Sequence, residues 1–267
     1  PMSSAIRIVR IFIIVLVALV IGGLIAFGIT WKLSGYYQLM GVPVLNYHSV
    51  NDTNVSDLVI KTNQFEDEMK YLDEHGYHTI TLRELDDYLT NGDSLPDKPV
   101  VITFDDGYID NYENVFPILK AHHMHATLFM IGDDIGQPRF VNAEQLREMD
   151  ANGFDVQAHT YTHRKETQFD KATLIEDFSK GRDVLEALLH KKIDYMAYPG
   201  GFNDPTVRDA AEEAGFRLAF TVDPGNVQRG DDLVKLNRLP IFEWEDPTHR
   251  FIWRLHEPQL AKFLWNF

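Results

Sequence analysis

The feature that most constrains the fold is a regular alternation of strand-like and helix-like segments between residues 42 and 222. Apolar runs of five or six residues, each suited to a buried strand, alternate with amphipathic segments of eight residues or more. The strand-like segments are 42–47, 99–104, 126–131, 154–158, 194–198 and 217–222, and the helix-like segments are 63–74, 82–89, 112–122, 143–151, 174–189 and 205–214. This order predicts an α/β domain with a parallel sheet and helices outside it. Six or seven such units favour a distorted or incomplete (β/α) barrel over an open sheet.

The first 35 residues differ from the rest of the chain in charge and hydropathy. They contain Arg7, Arg10 and Lys32 and no acidic residue, so they carry +3, whereas the remainder carries −18. The run 11–29 is 19 apolar residues long, close to the ~20 that span a bilayer as a helix. From the position of the arginines we predict a single-pass membrane protein with its amino terminus inside. Its segments are a cytoplasmic stretch at 1–10, a transmembrane anchor at 11–31, a linker at 32–41 and one extracytoplasmic catalytic domain at 42–267.

A cleaved secretory signal is the alternative interpretation of the apolar run. The tripeptide 26–28, Ala-Phe-Gly, resembles a small-x-small processing site, and cleavage there would release a secreted protein. A retained anchor in the cell membrane is favoured, because the run is longer than the ~7–15 apolar residues of a signal peptide. With either interpretation, the 42–267 domain is exported.

The composition excludes several kinds of site and partner. The chain has no cysteine, so it has no disulfide framework, no thiolate metal site and no cysteine nucleophile. Any metal must therefore be held by histidines and carboxylates. The formal net charge of −15 argues against non-specific nucleic-acid binding, because phosphates are neutralised by Lys and Arg. We expect no nucleic-acid partner.

Polar residues follow several of the predicted strands, at the end where a barrel keeps its active site. Two carboxylates and two histidines lie among them, which is a recurring composition of active sites. The strand-end residues of interest are His48, Asp105, Asp106 and His159, together with Pro199 and Gly200 after the strand 194–198.

His159 and His163 are four residues apart, which on a helical turn would place both imidazoles on one face, within reach of one cation. A carboxylate from another strand would complete a set of two histidines and one acid with open positions for water and substrate. Two surface histidines on a helix are the alternative. Asp105 and Asp106 must point in different directions, so one can face a metal and the other a reacting water. Their alternative role is an acidic turn that caps a helix.

Two of these segments together resemble a known family. Residues 103–107 (TFDDG) and 159–163 (HTYTH) are similar to the first two motifs of the polysaccharide deacetylases, also called carbohydrate esterase family 4 or the NodB homology domain. Their order and the 53-residue separation of Asp106 and His159 make the pair specific. The resemblance covers about residues 42–242.

This resemblance implies a distorted (β/α) barrel that removes N-acetyl groups from amino sugars with a divalent metal. Zinc is the expected metal, with cobalt, nickel and manganese as alternatives. By position, the resemblance makes Asp106, His159 and His163 the metal ligands and Asp105 the catalytic base.

The third family motif, commonly R-x-P-Y, is altered here to 197–200, Ala-Tyr-Pro-Gly. The arginine that orients the base is therefore absent, and Gly200 stands in place of the tyrosine. A backbone N–H near Pro199 and Gly200 can still stabilise an oxyanion. The late L-x-H motif that supplies the general acid is also missing after Pro199.

These departures point to one branch of the family. The segment 42–49 resembles the deacetylases of exported poly-N-acetylglucosamine, in which an early histidine is the acid and a late arginine near a Leu-Pro pair orients the base. His48 and Arg238 occupy those places in this chain. Their alternatives are a structural histidine and a plain surface charge.

The predicted function is metal-dependent removal of N-acetyl groups from N-acetylglucosamine residues of a cell-surface or exported polysaccharide, with release of acetate. The expected partners are that polysaccharide and, through the N-terminal helix, the lipid bilayer. Three alternatives are kept: a peptidoglycan N-deacetylase, an O-acetyl esterase on the same scaffold, and a catalytically weak relative that binds glycan.

Overall fold

The structure, a computed structural model, describes residues 4–33, 41–54, 56, 58–242 and 247–265. In the helices at the two ends, side chains are described only for 11–25 and 247–256. Most of the predicted linker at 32–41 lies outside the described residues.

The first helix, α1, is Ser4–Leu33 and contains the whole of the predicted membrane segment 11–31. Its described side chains, 11–25, are apolar or glycine and exposed. Within the described part of the chain, no helix combines the length and the apolarity that a membrane crossing requires. The anchor at 11–31 therefore stays a prediction.

The rest of the described chain is built on a closed parallel barrel. Its strands are β1 (Val44–Tyr47), β2 (Ser49–Val50), β3 (Val59–Ile60), β4 (His78–Thr79), β5 (Pro99–Phe104), β6 (Ala126–Met130), β7 (Phe154–Ala158), β8 (Tyr195–Ala197), β9 (Leu218–Pro224) and β10 (Leu236–Pro240). Seven strands form the ring in the order β1-β10-β9-β8-β7-β6-β5, and β5 closes it by pairing with β1. The barrel prediction is confirmed: the ring is closed, with seven strands where a regular (β/α) barrel has eight.

Helices connect the strands and cover the outside of the ring. They are α2 (Thr62–Glu74), α3 (Leu82–Thr90), α4 (Phe116–Ala121), α5 (Ala143–Asp150), α6 (Lys171–Leu189), α7 (Pro205–Glu213) and α8 (Pro247–Trp265). The predicted helix at 112–122 is a π-helical turn, Asn111–Val115, that continues into α4. Strands β2, β3, β4 and β10 and helix α8 were not predicted from the sequence.

The alternation of side chains along the strands creates two layers. On β1 and β5, Val44 and Val101 belong to the cluster inside the ring, whereas Leu45 and Ile102 pack in the cluster beneath the helices. Toward the carboxyl end of β1, the inward position becomes polar with Asn46. This polar end of the barrel carries the predicted site.

A buried carboxyl group, Glu68, joins helix α2 to strand β1. The Tyr47 hydroxyl donates to Glu68 Oε2 at 2.7 Å, and Gln64 Nε2 donates to Oε1 at 2.8 Å. Burial raises the pKa of Glu68 to about 8 from the usual 4.5, although both hydrogen bonds act to lower it.

The free energy of unfolding is expected to fall as the pH rises from 5 to 8. Because the pKa of Glu68 is higher in the folded chain, its stabilising contribution is fully present below pH 4.5 and is lost as the pH rises through about 8. The loss between pH 5 and pH 8 is on the order of 3–4 kcal/mol. Chemical denaturation at several pH values measures it. Glu68→Gln should flatten this dependence, whereas the exposed Glu66→Gln should not; equal slopes in both variants would contradict the assignment.

Candidate active site

Asp106, His159 and His163 converge at the carboxyl end of the barrel. Asp106 Oδ1 lies 3.4 Å from His159 Nε2 and 3.2 Å from His163 Nε2, and the three ligand atoms lie within 4.8 Å of one another. His159 Nδ1 is 2.8 Å from the Ala197 carbonyl oxygen. With its proton on Nδ1, His159 would donate a hydrogen bond to that carbonyl, and the Nε2 lone pair would face Asp106. Two imidazoles and one carboxylate so placed form a donor set for a divalent metal.

The two histidines do not share a helical turn, so that part of the prediction is wrong. Residues 159–163 form a loop after β7, in which Thr160 and His163 adopt left-handed backbone with φ of 59° and 51°. The Thr160 hydroxyl accepts the N–H of His163 at 3.1 Å. Loop curvature therefore brings the second imidazole back to Asp106.

Behind the metal-ligand set, Asp105 forms a buried ion pair with Arg238 of β10. Arg238 Nη1 donates to Asp105 Oδ1 and Nη2 donates to Oδ2, both at 2.7 Å. The arginine is 0% exposed and the aspartate 2%. The guanidinium that the third motif lacks at Ala197 is thus supplied from a different strand.

Further polar groups hold this pair in place. Asn46 Nδ2 donates to Asp105 Oδ2 at 3.0 Å, and Arg238 Nε donates to the Thr221 carbonyl at 2.8 Å. Thr103 Oγ1 accepts from Arg238 Nη1 at 3.2 Å. The sequence analysis missed Asn46, although an amide within the apolar run 42–47 was a signal for it.

The Asp105 carboxylate is ionised at neutral pH. Burial acts to raise the pKa of Asp105, but the charge of Arg238 and its hydrogen bonds to the carboxylate oppose burial, and the pKa stays below its usual value. A carboxylate that stays ionised can accept a proton from a reacting water.

His48 lies at the end of β1, on the same side of the site as Asp105. Its Nε2 is 3.8 Å from Asp105 Oδ2, and its side chain is 15% exposed. Burial lowers the pKa of His48, and the charges of Asp105 and Asp106 oppose this effect only in part. A lower pKa makes the protonated imidazole a stronger acid.

One cavity of about 970 Å³ opens onto these groups. Its polar lining includes His48, Asp106 and both metal-site histidines, and its apolar lining consists of Leu58, Val222, Pro224, Pro240 and Phe242. Gly200 also lines it, with left-handed backbone (φ 59°), whereas Pro199 is buried beside Gly200 and does not line it. Arg254 of α8 contributes to the wall, and the sequence analysis had not singled it out.

The comparisons with known proteins agree with this arrangement. Residues 92–219 match the family described as polysaccharide deacetylase. Over 201 residues the chain is 33% identical to YxkH of Bacillus subtilis (strain 168), which is named for the same family; the alignment covers 75% of this chain and 71% of that protein. The chain belongs to the polysaccharide deacetylase family. The resemblance of the two sequence motifs to this family is confirmed.

This polysaccharide deacetylase has further relatives. Over 215 residues it is 28% identical to the poly-β-1,6-N-acetyl-D-glucosamine N-deacetylase of Staphylococcus aureus (strain MSSA476), covering 70% of this chain and 74% of that one. Among solved structures, it resembles the Streptococcus pyogenes deacetylase PplD in complex with acetate. The TM-score is 0.76 at 25% identity, over 79% of this chain and 97% of that chain. The chain is therefore a hydrolase of this family.

Proposed function

We propose that this polysaccharide deacetylase removes N-acetyl groups from N-acetylglucosamine residues of an exported, cell-surface polymer, using a metal held by Asp106, His159 and His163. The observation that carries the proposal is the placement of an ionised, arginine-held Asp105 and His48 beside that donor set. Zinc is the first candidate, because it favours few ligands and accepts mixed nitrogen and oxygen donors.

Each residue around the cavity has its own role in amide hydrolysis. A divalent metal at this site would supply Lewis-acid polarisation of the amide carbonyl and a water of lowered pKa. Asp105 takes the proton of the attacking water, while Arg238 keeps its carboxylate ionised and oriented. His48 donates a proton to the departing amine, which is a poor leaving group when unprotonated. A backbone N–H near Gly200 stabilises the developing oxyanion.

The proposed substrate class rests on similarity and on surface chemistry. The Staphylococcus aureus relative is named for a poly-N-acetylglucosamine, which supports a polymer of that kind as the substrate. The apolar wall, which includes Val222 and Pro240, suits the methyl group of an acetamide. An acidic surface, part of a chain with net charge −15, tolerates a neutral polymer better than an anionic one.

The proposal also places the catalytic domain outside the cell on a membrane anchor at 11–31. The support is the apolar run 11–29 and the exposure of large apolar side chains such as Phe12 and Leu16 on α1. Fractionation of cells that produce the full chain tests the anchor. Recovery of the intact chain in the membrane fraction is expected, and recovery of a shortened chain in the medium would instead indicate cleavage.

The enzyme assay that tests the proposed function measures acetate release by the full-length protein. The substrates are β-1,6-linked N-acetylglucosamine oligomers, β-1,4-linked oligomers, peptidoglycan fragments and an O-acetylated sugar, with metal analysis on the same sample. Acetate release from the β-1,6 oligomers is expected. A chelator is expected to lower the rate about 100-fold or more, and added zinc to restore it, because Lewis-acid stabilisation is worth several kcal/mol.

The other outcomes distinguish the alternatives. Turnover confined to peptidoglycan fragments would identify peptidoglycan as the substrate polymer. Turnover confined to the O-acetylated sugar would indicate an esterase. Full metal occupancy without turnover of any substrate would indicate a glycan-binding relative. A rate that is insensitive to chelation would contradict the metal-dependent mechanism.

A further inference from the structure

A second groove adjoins the active-site cavity. It has a volume of about 650 Å³ and its lining includes Ser49, Asn54, Val59, Tyr108 and Arg139. Leu58 lines both the groove and the active-site cavity, so the two lie next to each other with this side chain between them. A polymer chain with one sugar at the metal-ligand set could therefore continue into the groove.

Tyr108 and Arg139 line the groove, and Tyr108 follows the predicted metal ligand Asp106 by two residues. The Tyr108 ring stacks on Phe140 with centroids 5.3 Å apart, and the Arg139 guanidinium lies 6.0 Å from the Tyr108 centroid. The Arg139 carbonyl accepts the N–H of Ile109 at 2.7 Å, which fixes the two segments to each other.

The floor of the groove is held by a buried carboxylate. Asp110 accepts hydrogen bonds from the Ser49 hydroxyl at 2.5 Å, from Val50 N at 3.1 Å and from Asn51 Nδ2 at 3.0 Å. Asn51 in turn accepts the N–H of Asn54 at 2.8 Å. These hydrogen bonds hold two lining residues of the groove, Ser49 directly and Asn54 through Asn51.

Among the described residues that line this groove, Arg139 is the charged one. It is exposed, and among the described residues it forms no ion pair with a carboxylate. A guanidinium offers several N–H donors to the hydroxyl and acetamide oxygens of a neutral sugar. The same guanidinium repels the ammonium group of a glucosamine.

We infer that this groove binds the sugar next to the one being deacetylated, and that Arg139 makes it accept an N-acetylated neighbour and reject a glucosamine. The inference rests on the proposed function and adds a rule of substrate selection to it. Because each turnover creates a cationic sugar, the rule predicts that deacetylated residues are spaced along the polymer and seldom adjacent on the groove side.

The test compares trimers of β-linked N-acetylglucosamine in which one terminal sugar, at either end, is replaced by glucosamine. We expect kcat/KM for acetate release from the central sugar to be about tenfold lower when the glucosamine occupies the groove end. Glucosamine at the other end is expected to have a smaller effect. Arg139→Ala should bring the tenfold ratio close to one, Arg139→Lys should keep most of it, and Arg139→Glu should reverse it.

Arg83→Ala is the matched control. This arginine is also well exposed (67%), but it lines a cavity with Asp155 and Asp194, at the amino ends of the strands. The control variant is expected to keep the wild-type ratio. An unchanged ratio in Arg139→Ala, or equal loss in Arg83→Ala, would overturn the subsite alone. Absence of acetate release from the fully acetylated trimer would overturn the proposed function and the subsite with it.

Discussion

Asp105→Asn is expected to lower kcat/KM for acetate release by about 10³-fold while the metal content stays at the wild-type value. The amide keeps the shape of the side chain but cannot accept the proton of the attacking water. Asp105 is not part of the Asp106, His159 and His163 donor set, so metal binding is expected to survive. Steady-state kinetics and metal analysis on one preparation measure both quantities.

Two further variants show whether the loss is specific. His159→Ala removes a donor and is expected to lose metal and activity together. Asp133→Asn removes an exposed carboxylate from the loop after β6, at the same end of the barrel, and is expected to keep both. Equal metal content and equal activity in Asp105→Asn and His159→Ala would contradict the assigned roles.

The positions of strands could be predicted from the sequence where a strand is long and uniformly apolar, and not elsewhere. β5 was predicted from Pro99 to Phe104, as observed, because six consecutive buried residues leave little ambiguity. β10 was missed, because its residues 236–240 (LNRLP) contain an arginine and a proline, which are unusual in a buried strand. The burial of Arg238 depends on a partner 133 residues away, and only the family resemblance, not the strand's own composition, linked the two residues.

The residue content of the candidate site was predictable to a larger extent than its geometry. The strand-end histidines and aspartates do meet, as parallel strands require. Their spacing suggested a helical turn at 159–163, whereas the loop needs left-handed backbone at Thr160 and His163. Such conformations are uncommon for residues other than glycine, so no sequence pattern predicts them at Thr160 and His163.

The third motif shows how a functional group can be supplied from another position. Ala197 lacks the side chain that orients the base in the common family pattern, yet Asp105 receives a bidentate guanidinium from Arg238. Ala197 instead uses its backbone, since its carbonyl faces His159 Nδ1. The altered third motif therefore does not by itself indicate a weakened site. The Asp105–Arg238 ion pair is the better evidence on how the base is oriented.

Arg238→Met is expected to lower the free energy of unfolding at pH 8 by about 3–5 kcal/mol, because it leaves the Asp105 carboxylate buried without its counter-charge. Without the guanidinium, burial dominates and raises the pKa of Asp105. The destabilisation is therefore expected to shrink toward pH 5, as the carboxyl group takes up a proton. For the same reason, the acid limb of the pH–rate profile is expected to move to higher pH.

Denaturant unfolding at pH 5 and pH 8, together with pH–rate profiles, measures these effects, and Arg217→Met supplies the control. Arg217 also holds a fully buried carboxylate, Asp86, through two hydrogen bonds of 2.6 and 3.0 Å, but it lies away from the candidate site. Its removal is expected to destabilise the fold without moving the acid limb. The double variant Asp105→Asn with Arg238→Met removes both charges and is expected to recover about 2 kcal/mol of the loss. Additive costs in the double variant, or an unmoved acid limb in Arg238→Met, would show that the guanidinium does not act through Asp105.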